Sequence, residues 1–342
     1  MSIQKTGETR FEKGAPARAA RLSARAYRAG RSLADRLRLR DSSTGREVLA
    51  ILNVLGQIAA GSVLFRGHGP IEVDGHRMQL AGKHAPSPAL ACAVLDGHYE
   101  RATRALVERL LPPGGTFIDV GAHVGLYTLV AARRVGPGGR VYAFEPEPNN
   151  FQLLTQNIQR NGYANVTPVP CAVCERTGQS PLFVSRQGND RHSLFRNPRS
   201  PIREQRQAVE TTTLDDFLAS AGWPEIDLVK MDIEGAEPLA IAGMSRMLGR
   251  SSRMHLIVEF SPEMLEAGGT PPCQFLTDLA AHGLELFSIE DNASLVPLCA
   301  GQFAAAAEQV RARGVINLLC HKKAPEDTRE PPFRAACAGG LP

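Results

Sequence analysis

The stretch between residues 116 and 145 restricts the fold more than any other part of the chain. Residues 117–125 read Phe-Ile-Asp-Val-Gly-Ala-His-Val-Gly, and Glu145 follows twenty residues after Gly125, directly behind the apolar run Val141–Phe144. This order predicts a strand, a tight glycine turn, a helix and a second strand closed by an acid. Glycines let the backbone approach a ligand, and a carboxylate at position 145 can accept both hydroxyl hydrogens of a ribose. The pattern therefore predicts a nucleoside-containing cofactor.

Strand and helix patterns alternate along the chain from residue 116 onward. Apolar strands separated by helices predict an α/β fold of the Rossmann-like type, with a mostly parallel seven-stranded sheet covered by helices on both faces. The strands are predicted at 116–120, 141–144, 166–169, 227–231, 255–260, 284–289 and 315–320. One unbroken helix is predicted over 237–248.

The composition divides the chain into four regions. They are a basic, poorly ordered arm over 1–45, a small helix and hairpin extension over 46–98, the α/β domain over 99–323 and a disordered tail over 324–342. Within the extension, Asp74-Gly75 is the predicted hairpin turn. The segment 186–207 carries six arginines and two acids. We expect an irregular insertion there, either a solvated loop or a substrate lid, and its arginines favour an anionic or carboxylated substrate.

Acidic side chains are predicted at the carboxyl ends of four strands. Because ligands of open α/β sheets bind at that edge, these side chains should surround one crevice. They are Asp119, Glu145, Asp232 and Glu259. Asp232, Glu234 and Glu259 could gather a divalent ion, but carboxylates on separate strands are ordinary in such a fold, and no metal site is predicted. The motif Cys171-Ala-Val-Cys174 does not predict zinc either, because it has no further ligands at suitable spacing.

The charge of the glycine turn indicates which cofactor to expect. A dinucleotide site has the pattern G-x-G-x-x-G, because the pyrophosphate must lie against the helix N-terminus. Here Asp119 stands where that pattern has its first glycine, and its carboxylate would repel a diphosphate and attract an ammonium. S-adenosylmethionine offers an ammonium, a sulfonium and a ribose diol, so it is the expected cofactor. A nicotinamide-dependent oxidoreductase is the alternative enzyme.

A series of motifs in order resembles the FkbM-type methyltransferase family. The matching stretches are Thr116–Thr128, Arg140–Pro148, Asn157–Asn161, Ala172-Val173, Thr213–Phe217, Asp227–Glu237 and Ile257–Glu259. The resemblance implies a Rossmann-like class I methyltransferase fold that depends on S-adenosylmethionine. It also implies O-methylation of a hydroxyl on a sugar or other small metabolite.

The resemblance also implies roles for individual residues. The cofactor turn would comprise Asp119, Gly121, Ala122, His123, Gly125 and Thr128, with Glu145 on the ribose hydroxyls and Ala172-Val173 beside the adenine. Position 123 departs from the family pattern, which usually has asparagine where this chain has histidine. His123 would still hydrogen-bond the amino-acid end of the cofactor or alter the fit of the substrate.

A hydroxyl is a poor nucleophile, so methyl transfer to it needs alignment and a base within hydrogen-bond reach. The catalytic candidates are Asp232, Glu234 and His192, and Glu259 is a further carboxylate at the same edge. The alternative role for Glu234 and for Glu237 is to stabilise the N-terminus of the following helix. For His192, the alternative is an ordinary solvated loop histidine. Lys230 is expected to neutralise a nearby carboxylate.

The charge of the chain is uneven. Residues 1–40 hold eleven Lys or Arg and three acids, a net charge of +8, which leaves −4 on the other 302 residues. Clustered arginines can neutralise phosphates, so a non-catalytic protein that binds nucleic acid or a membrane surface is a third hypothesis. Aromatic residues for base stacking are scarce in the arm, so we do not expect a nucleic-acid partner.

Localisation is predicted from cysteine usage and from the apolar stretches. Seven scattered cysteines and the lack of a signal-peptide pattern favour the cytoplasm. Residues 48–65 form the one membrane candidate, but Asn53, Gln57 and Ser62 interrupt this short run. A buried helix is therefore expected there in place of a membrane span. The sequence makes no prediction of the oligomeric state.

Overall fold

The computed structural model describes residues 70–81, 90, 93–94, 97, 99–185, 191–196, 204–251 and 253–322. The predicted basic arm (1–45), the apolar stretch 48–65 and the tail 324–342 lie outside these ranges. Their structural predictions therefore stay predictions.

The strands and helices of the described ranges alternate as the sequence pattern predicts. The strands are β1 (Ile71–Val73), β2 (His76–Met78), β3 (Thr116–Val120), β4 (Arg140–Phe144), β5 (Val166–Val169), β6 (Ala172–Val173), β7 (Gly178–Ser185), β8 (Glu204–Thr212), β9 (Leu228–Met231), β10 (Met254–Phe260), β11 (Leu284–Ile289), β12 (Leu295–Leu298) and β13 (Ile316–Lys322). The helices are α1 (Arg101–Leu110), α2 (Leu126–Val135), α3 (Pro148–Arg160), α4 (Leu214–Ser220), α5 (Glu237–Ala242), α6 (Ser245–Arg250), α7 (Pro262–Ala267), α8 (Pro272–Ala281) and α9 (Phe303–Arg313).

Eight of these strands form the main sheet, in the order β12-β11-β13-β10-β9-β3-β4-β5. From β10 to β5 all neighbours are parallel, whereas β13, β11 and β12 pair antiparallel. The mostly parallel α/β sheet predicted from the sequence is therefore confirmed. It has one strand more than the predicted seven, because the short strand β12 extends the antiparallel edge.

Helices cover both faces of the main sheet, so the core forms two layers. Strand residues alternate between the faces: Ile118 and Val120 pack with the α4–α9 side, and Phe117 packs with α1 and α2. The central strands β3 and β9 are buried along their whole length. This two-sided burial explains why the sequence shows near-continuous apolar runs at these positions.

Each edge strand of the main sheet contains a proline, Pro168 in β5 and Pro297 in β12. In β5, the carbonyls of Asn165 and Val169 accept hydrogen bonds from β4 and the intervening Pro168 nitrogen faces away from the sheet. Proline has no N–H to donate, so edge strands are where a sheet tolerates it.

The N-terminal hairpin β1–β2 turns at Asp74 and Gly75, as predicted. Both residues have positive φ, 50° and 80°, which is the backbone conformation of a type I′ hairpin turn. The hairpin packs against α3. The fully buried Asn157 of this helix bonds the backbone of Gln79 on both sides, by accepting from its nitrogen at 2.8 Å and donating to its carbonyl at 3.0 Å.

A second, three-stranded sheet has the order β6-β8-β7. Here the prediction of an irregular insertion over 186–207 is wrong for its last four residues, because 204–207 belong to β8 and pair with residues 182–185 of β7. Alternating polar residues and many arginines hid the strand. Ser193 pairs with Phe183 of β7, so the described residues 191–196 lie against this small sheet.

The predicted helix over 237–248 is wrong, because two short helices, α5 and α6, replace it. The chain breaks at Gly243, which lies so close to the backbone of Cys174 that a Cβ there would be 2.1 Å from the Cys174 carbonyl oxygen. The backbone N–H of Asp215 also donates to the Gly243 carbonyl. Contact with the small sheet and α4 therefore interrupts a segment that is apolar enough to remain helical.

Candidate active site

The turn between β3 and α2 forms the floor of a crevice at the carboxyl end of the main sheet. Gly121 has φ of 83°, and its amide donates to the carbonyl of Phe144 at 3.0 Å. A Cβ at Gly121 would lie 2.0 Å from the carbonyl oxygen of Asp232. Only glycine combines this φ with so close an approach, and the contact joins the two loops that carry the candidate site.

Asp119 lies buried beneath this turn. Its carboxylate accepts a hydrogen bond from the hydroxyl of Thr128 at 2.6 Å. Burial raises its pKa to about 6, although the Thr128 hydrogen bond and the positive charge of Lys230 act in the opposite direction. The turn therefore has an acid whose charged form a bound cation would stabilise.

Glu145 stands at the end of the neighbouring strand β4 and is also buried. Its two carboxylate oxygens accept hydrogen bonds from the backbone amides of His123 at 2.9 Å and Glu147 at 2.8 Å. Burial raises its pKa to about 8 even though both hydrogen bonds lower it. These contacts fix the orientation of the carboxylate, and each oxygen has a second lone pair for a further donor.

The loop after β9 carries the predicted pair Asp232 and Glu234. The ammonium of Lys230, which is fully buried, lies 3.2 Å from an oxygen of Asp232 and 5.2 Å from the centre of the Tyr127 ring. Burial alone would lower the pKa of Lys230, but the carboxylates of Asp232, Glu100 and Glu259 outweigh that effect and raise it. Lys230 is therefore assigned as the counter-ion of these carboxylates.

The carboxylate of Glu100 links this cluster to distant parts of the chain. It accepts hydrogen bonds from the hydroxyl of Tyr127 and from the amide nitrogen of Asn317 at 2.9 Å. Asn317 belongs to β13 and is 217 residues away from Glu100 in the sequence. No local pattern indicates such a contact, so sequence reasoning did not predict that Glu100 bonds Asn317 and Tyr127.

Glu234 has φ of 55°, and its backbone carbonyl accepts a hydrogen bond from the hydroxyl of Ser193 at 2.7 Å. This bond connects the segment 191–196 to the loop after β9. Glu237 is buried and accepts from the backbone amide of Ile233 at 3.0 Å, and burial raises its pKa. Glu237 therefore fixes this loop from the first turn of α5, in line with the structural role considered from the sequence.

Oxygen atoms of Asp232, Glu234 and Glu259 lie within 4.8 Å of one another. Three carboxylate oxygens could hold a hard divalent cation such as Mg²⁺. Burial and the neighbouring carboxylates also raise the pKa of Glu259 well above its ordinary value. A proton shared between these carboxylates, together with the positive charge of Lys230, is thus a second way to reduce the electrostatic repulsion between them.

Most of the predicted site residues line the same crevice, which contains about 1130 Å³ of space, counting the part open to solvent. The lining includes Asp119, Gly121, Ala122, His123, Glu145, Ala172, Val173, His192, Asp232 and Glu234. Gly125 and Thr128 are not part of the lining. Gly125 is the N-cap of α2, with φ of 98°, and Thr128 bonds Asp119 from below.

His192 and an apolar group of side chains form the opposite wall of the crevice. The Nδ1 atom of His192 accepts a hydrogen bond from the backbone amide of Ser185 at 3.1 Å, so the ring is held against β7 and is not simply solvated. The apolar side chains are Leu80, Leu90, Val94, Leu126, Leu182 and Leu194. Of this wall, sequence reasoning singled out only the side chain of His192, because the apolar side chains come from four separate parts of the chain.

Residues 119–290, just over half of the chain, match the family model described as "Methyltransferase FkbM domain". The chain belongs to the FkbM methyltransferase family. Membership decides between the two enzyme hypotheses in favour of the methyltransferase and against the oxidoreductase. The methyl donor of this FkbM methyltransferase is S-adenosylmethionine.

Curated relatives of this FkbM methyltransferase include two enzymes with named activities. It is 27% identical over 183 residues to the 2-O-methyltransferase NoeI of Sinorhizobium fredii, covering 49% of this chain and 72% of that protein. It is 26% identical over 133 residues to the hexuronic acid methyltransferase AglP of Haloferax volcanii, covering 38% and 50%. The chain thus spans between half and about three-quarters of the length of these relatives.

Among solved structures, the FkbM-family chain is similar to the O-methyltransferase TomG of Streptomyces achromogenes, with 13% identity and a TM-score of 0.38. The match covers 65% of this chain and 77% of TomG. A score of this size says nothing further about the site.

The residues of the crevice fit S-adenosylmethionine. The close approach at Gly121 leaves a turn without side-chain bulk, and the buried carboxyls of Asp119 and Glu145 suit a ligand that carries positive charge and a diol.

Within the described residues, every helix is too short or too polar to cross a membrane.

Proposed function

We propose that this protein O-methylates a hydroxyl group of a sugar or related small metabolite, with S-adenosylmethionine as the donor. The observation that carries the proposal is the convergence of three acidic side chains on one crevice in a chain of the FkbM family. Asp119, Glu145 and Asp232 come from the ends of three adjacent strands and share this crevice.

The donor side of the proposal is assigned to the turn after β3 and the end of β4. Gly121 and Ala122 bring the backbone to the ligand, and the Asp119 carboxylate beneath them attracts the positive end of the donor. Glu145 accepts the ribose hydroxyls with its remaining lone pairs. Ala172 and Val173, which are buried at the start of the small sheet, contact the adenine.

When bound, S-adenosylmethionine supplies a methyl group carried on a sulfonium. The protein aligns the acceptor and excludes water, and a base removes the proton of the acceptor hydroxyl. Asp232 is our first candidate for that base, because it lines the crevice and the Lys230 ammonium at 3.2 Å fixes the position of its carboxylate. Glu234 and His192 are the other candidates, since both line the same crevice.

The acceptor is proposed from the remaining walls of the crevice. Leucine side chains and Tyr99 offer an apolar surface, which suits the carbon face of a sugar ring or a small apolar metabolite. Arg191 lies half-buried beside His192, in the arginine-rich segment. Together with the relatives that are named as 2-O- and hexuronic acid methyltransferases, this supports sugars, and uronic acids among them, as the first acceptors to examine.

The donor assignment is tested by titration calorimetry with S-adenosylmethionine. Replacing Glu145 by alanine removes hydrogen bonds to a charged acceptor, so affinity should fall by about a hundredfold or more. Asp119→Ala should have an effect of similar size. The control is Glu210→Gln, an exposed acid on β8 that should leave affinity unchanged. Unchanged affinity in both folded Asp119 and Glu145 variants would contradict the proposal.

The acceptor and the base are tested by incubation with labelled donor and a panel of sugars, uronic acids and polyketide alcohols. The expected product carries one additional methyl group, read by mass spectrometry. With an acceptor in hand, Asp232→Asn should lower turnover by about a hundredfold, the size typical of general-base catalysis, and change donor affinity little. Equal turnover in the Asp232 variant would exclude this residue as the base and leave Glu234 and His192.

A further inference from the structure

Two arginine side chains stack on Trp223, the single tryptophan of the chain. The guanidinium carbon of Arg246 lies 4.9 Å from the centre of the tryptophan ring, and that of Arg250 lies 4.8 Å from it. Both arginines are exposed, whereas Trp223 is half-buried. Stacking on an aromatic face holds a guanidinium in a fixed plane and leaves its N–H edge open to an anion.

Trp223 and Arg250 also line a cleft with about 700 Å³ of space, counting the part open to solvent. Ser251 and Arg253 lie on the same cleft, so the loop after α6 presents two guanidinium groups and a hydroxyl to one space.

The charges around the cleft are only partly balanced. Arg250 and Arg253 form no ion pair with a carboxylate of the described residues. Arg246 lies 3.8 Å from Asp215, and Glu225 is an exposed acid on the rim of the cleft. Two arginines therefore have their full hydrogen-bonding capacity available, while one acid at the rim opposes an incoming anion.

We propose that this cleft binds the phosphate group of a small phosphorylated molecule. Two arginines can donate paired hydrogen bonds to phosphate oxygens, and such charge-assisted bonds are the strongest that side chains make. The Ser251 hydroxyl adds a neutral donor. Leu218, Ile226 and Met247 lie beneath the cleft and are buried in the core, so the ligand is held by the polar groups above them.

The cleft is separate from the active-site crevice. Trp223 to Ile226 precede β9 and Arg253 precedes β10, two parallel strands whose carboxyl ends lead to Asp232 and Glu259. The cleft therefore lies at the amino edge of the sheet, and its ligand is not the methyl acceptor. Its occupancy can be measured without an active methyltransferase.

The test uses the fluorescence of the single tryptophan in the full chain. Inorganic pyrophosphate is titrated at constant ionic strength, and we expect a saturable change in emission. Arg250→Gln and Arg253→Gln should each weaken binding by about tenfold or more, since each removes charge-assisted hydrogen bonds. Glu225→Gln should tighten binding, because it removes the opposing charge.

The control variant is Arg140→Gln, which removes an exposed arginine at the amino end of β4 and should leave the titration unchanged. Thermal melting confirms that each variant is folded. An emission change that sodium chloride reproduces, or an equal change in the Arg250 and Arg140 variants, would overturn the proposal. A single-stranded RNA oligomer is titrated in parallel. Tighter binding of RNA than of pyrophosphate, with a steep salt dependence, would overturn the small-molecule assignment in favour of a nucleic-acid surface.

Discussion

Gly121 shows how a single position can connect the two loops of the candidate site. Its positive φ and its contact with the carbonyl of Asp232 both require the absence of a side chain. A positive φ favours glycine wherever it occurs in the chain. The contact with the Asp232 carbonyl, in contrast, arises only because β3 and β9 are neighbouring strands. The turn on the donor side and the loop on the acceptor side are thus in direct backbone contact.

Replacing Gly121 by alanine should therefore destabilise the fold more than the same change at Gly162. Gly162 has φ of 68° and open space around its Cβ position, so it shares only the left-handed backbone cost of about 1–2 kcal/mol. The overlap with Asp232 adds to that cost at Gly121. The measurement is the free energy of unfolding in urea. Equal losses in the two variants would contradict the importance of the close approach.

Lys230 is a second position at which one side chain affects several others, because its positive charge balances the neighbouring carboxylates. It is fully buried and faces Asp232, with Glu100 and Glu259 nearby. Lys230→Met leaves these carboxylates without their cation, and removing one partner of a buried pair costs about 3–5 kcal/mol. We expect a loss of that size in the free energy of unfolding.

The matched variant for Lys230 is the double change Lys230→Met with Asp232→Asn. Removing both members of a buried pair is far less costly than removing one, so the double variant should recover part of the lost stability. A double-mutant cycle measures this recovery. Additive losses would show that the two side chains do not interact.

At the scale of the elements, Asn157 of α3 holds three parts of the chain together. Its side chain bonds Gln79 beside the hairpin and donates to the carbonyl of Val124 in the cofactor turn at 2.8 Å. The hairpin thus supports the turn through a buried amide. Such an amide has no alternative partner in water once the fold is formed, so its loss leaves buried backbone groups unpaired.

Asn157→Ala should consequently lower the free energy of unfolding by about 2–4 kcal/mol, since several buried groups lose their partner. Hydrogen exchange should accelerate in β1 and β2 before it does so in the central strands. Asp215→Ala provides the comparison, because the Asp215 carboxylate also accepts hydrogen bonds from two backbone amides, those of Arg246 and Met247, but α4 packs in a different part of the core from the hairpin. Equal exchange of the hairpin in both variants would exclude the proposed link.

The elements also show what the sequence could and could not predict. Apolar runs, Asp74-Gly75 and the Thr213 cap, which accepts from Asp216 at 2.8 Å, are local signals, and the structure contains the elements they predict. The break at Gly243 depends on a contact with Cys174, and β8 depends on pairing with β7. These are long-range contacts that composition and periodicity do not encode.

The candidate site divides in the same way. Asp119, Glu145 and Asp232 follow from the rule that strand ends meet at one edge of a parallel sheet. Glu100 precedes the repeated strand–helix pattern and Asn317 lies on its last strand, β13, so the two meet only through the antiparallel return of that strand. A single sequence does not indicate that two residues so far apart in the chain will form a hydrogen bond.

For the whole molecule, the buried carboxyls connect proton binding with both stability and donor affinity. The pKa values of Asp119 and Glu145 are raised to about 6 and about 8 by burial. The folded chain therefore holds more protons than the unfolded chain from about pH 4 to 8, and these two groups reduce stability as the pH rises through that range. A bound cation favours the charged forms and opposes this effect.

Donor affinity should consequently rise with pH between about 6 and 8, and binding should release protons. Titration calorimetry in buffers of different ionisation enthalpy measures both quantities. Glu145→Gln removes the group that titrates near the upper end of this range and should flatten the dependence there. Affinity that is constant, or highest at pH 6, would contradict the assignment of these carboxyls to the donor.

The prolines at the two edges of the main sheet determine how copies of this protein can meet. In β5 the nitrogen of Pro168 faces outward, and at β12 Pro297 occupies a pair that makes no hydrogen bonds with β11, so its nitrogen faces outward as well. An incoming strand would find no donor at either position. Self-association by joining two main sheets into one continuous ladder is thereby disfavoured at both of its edges.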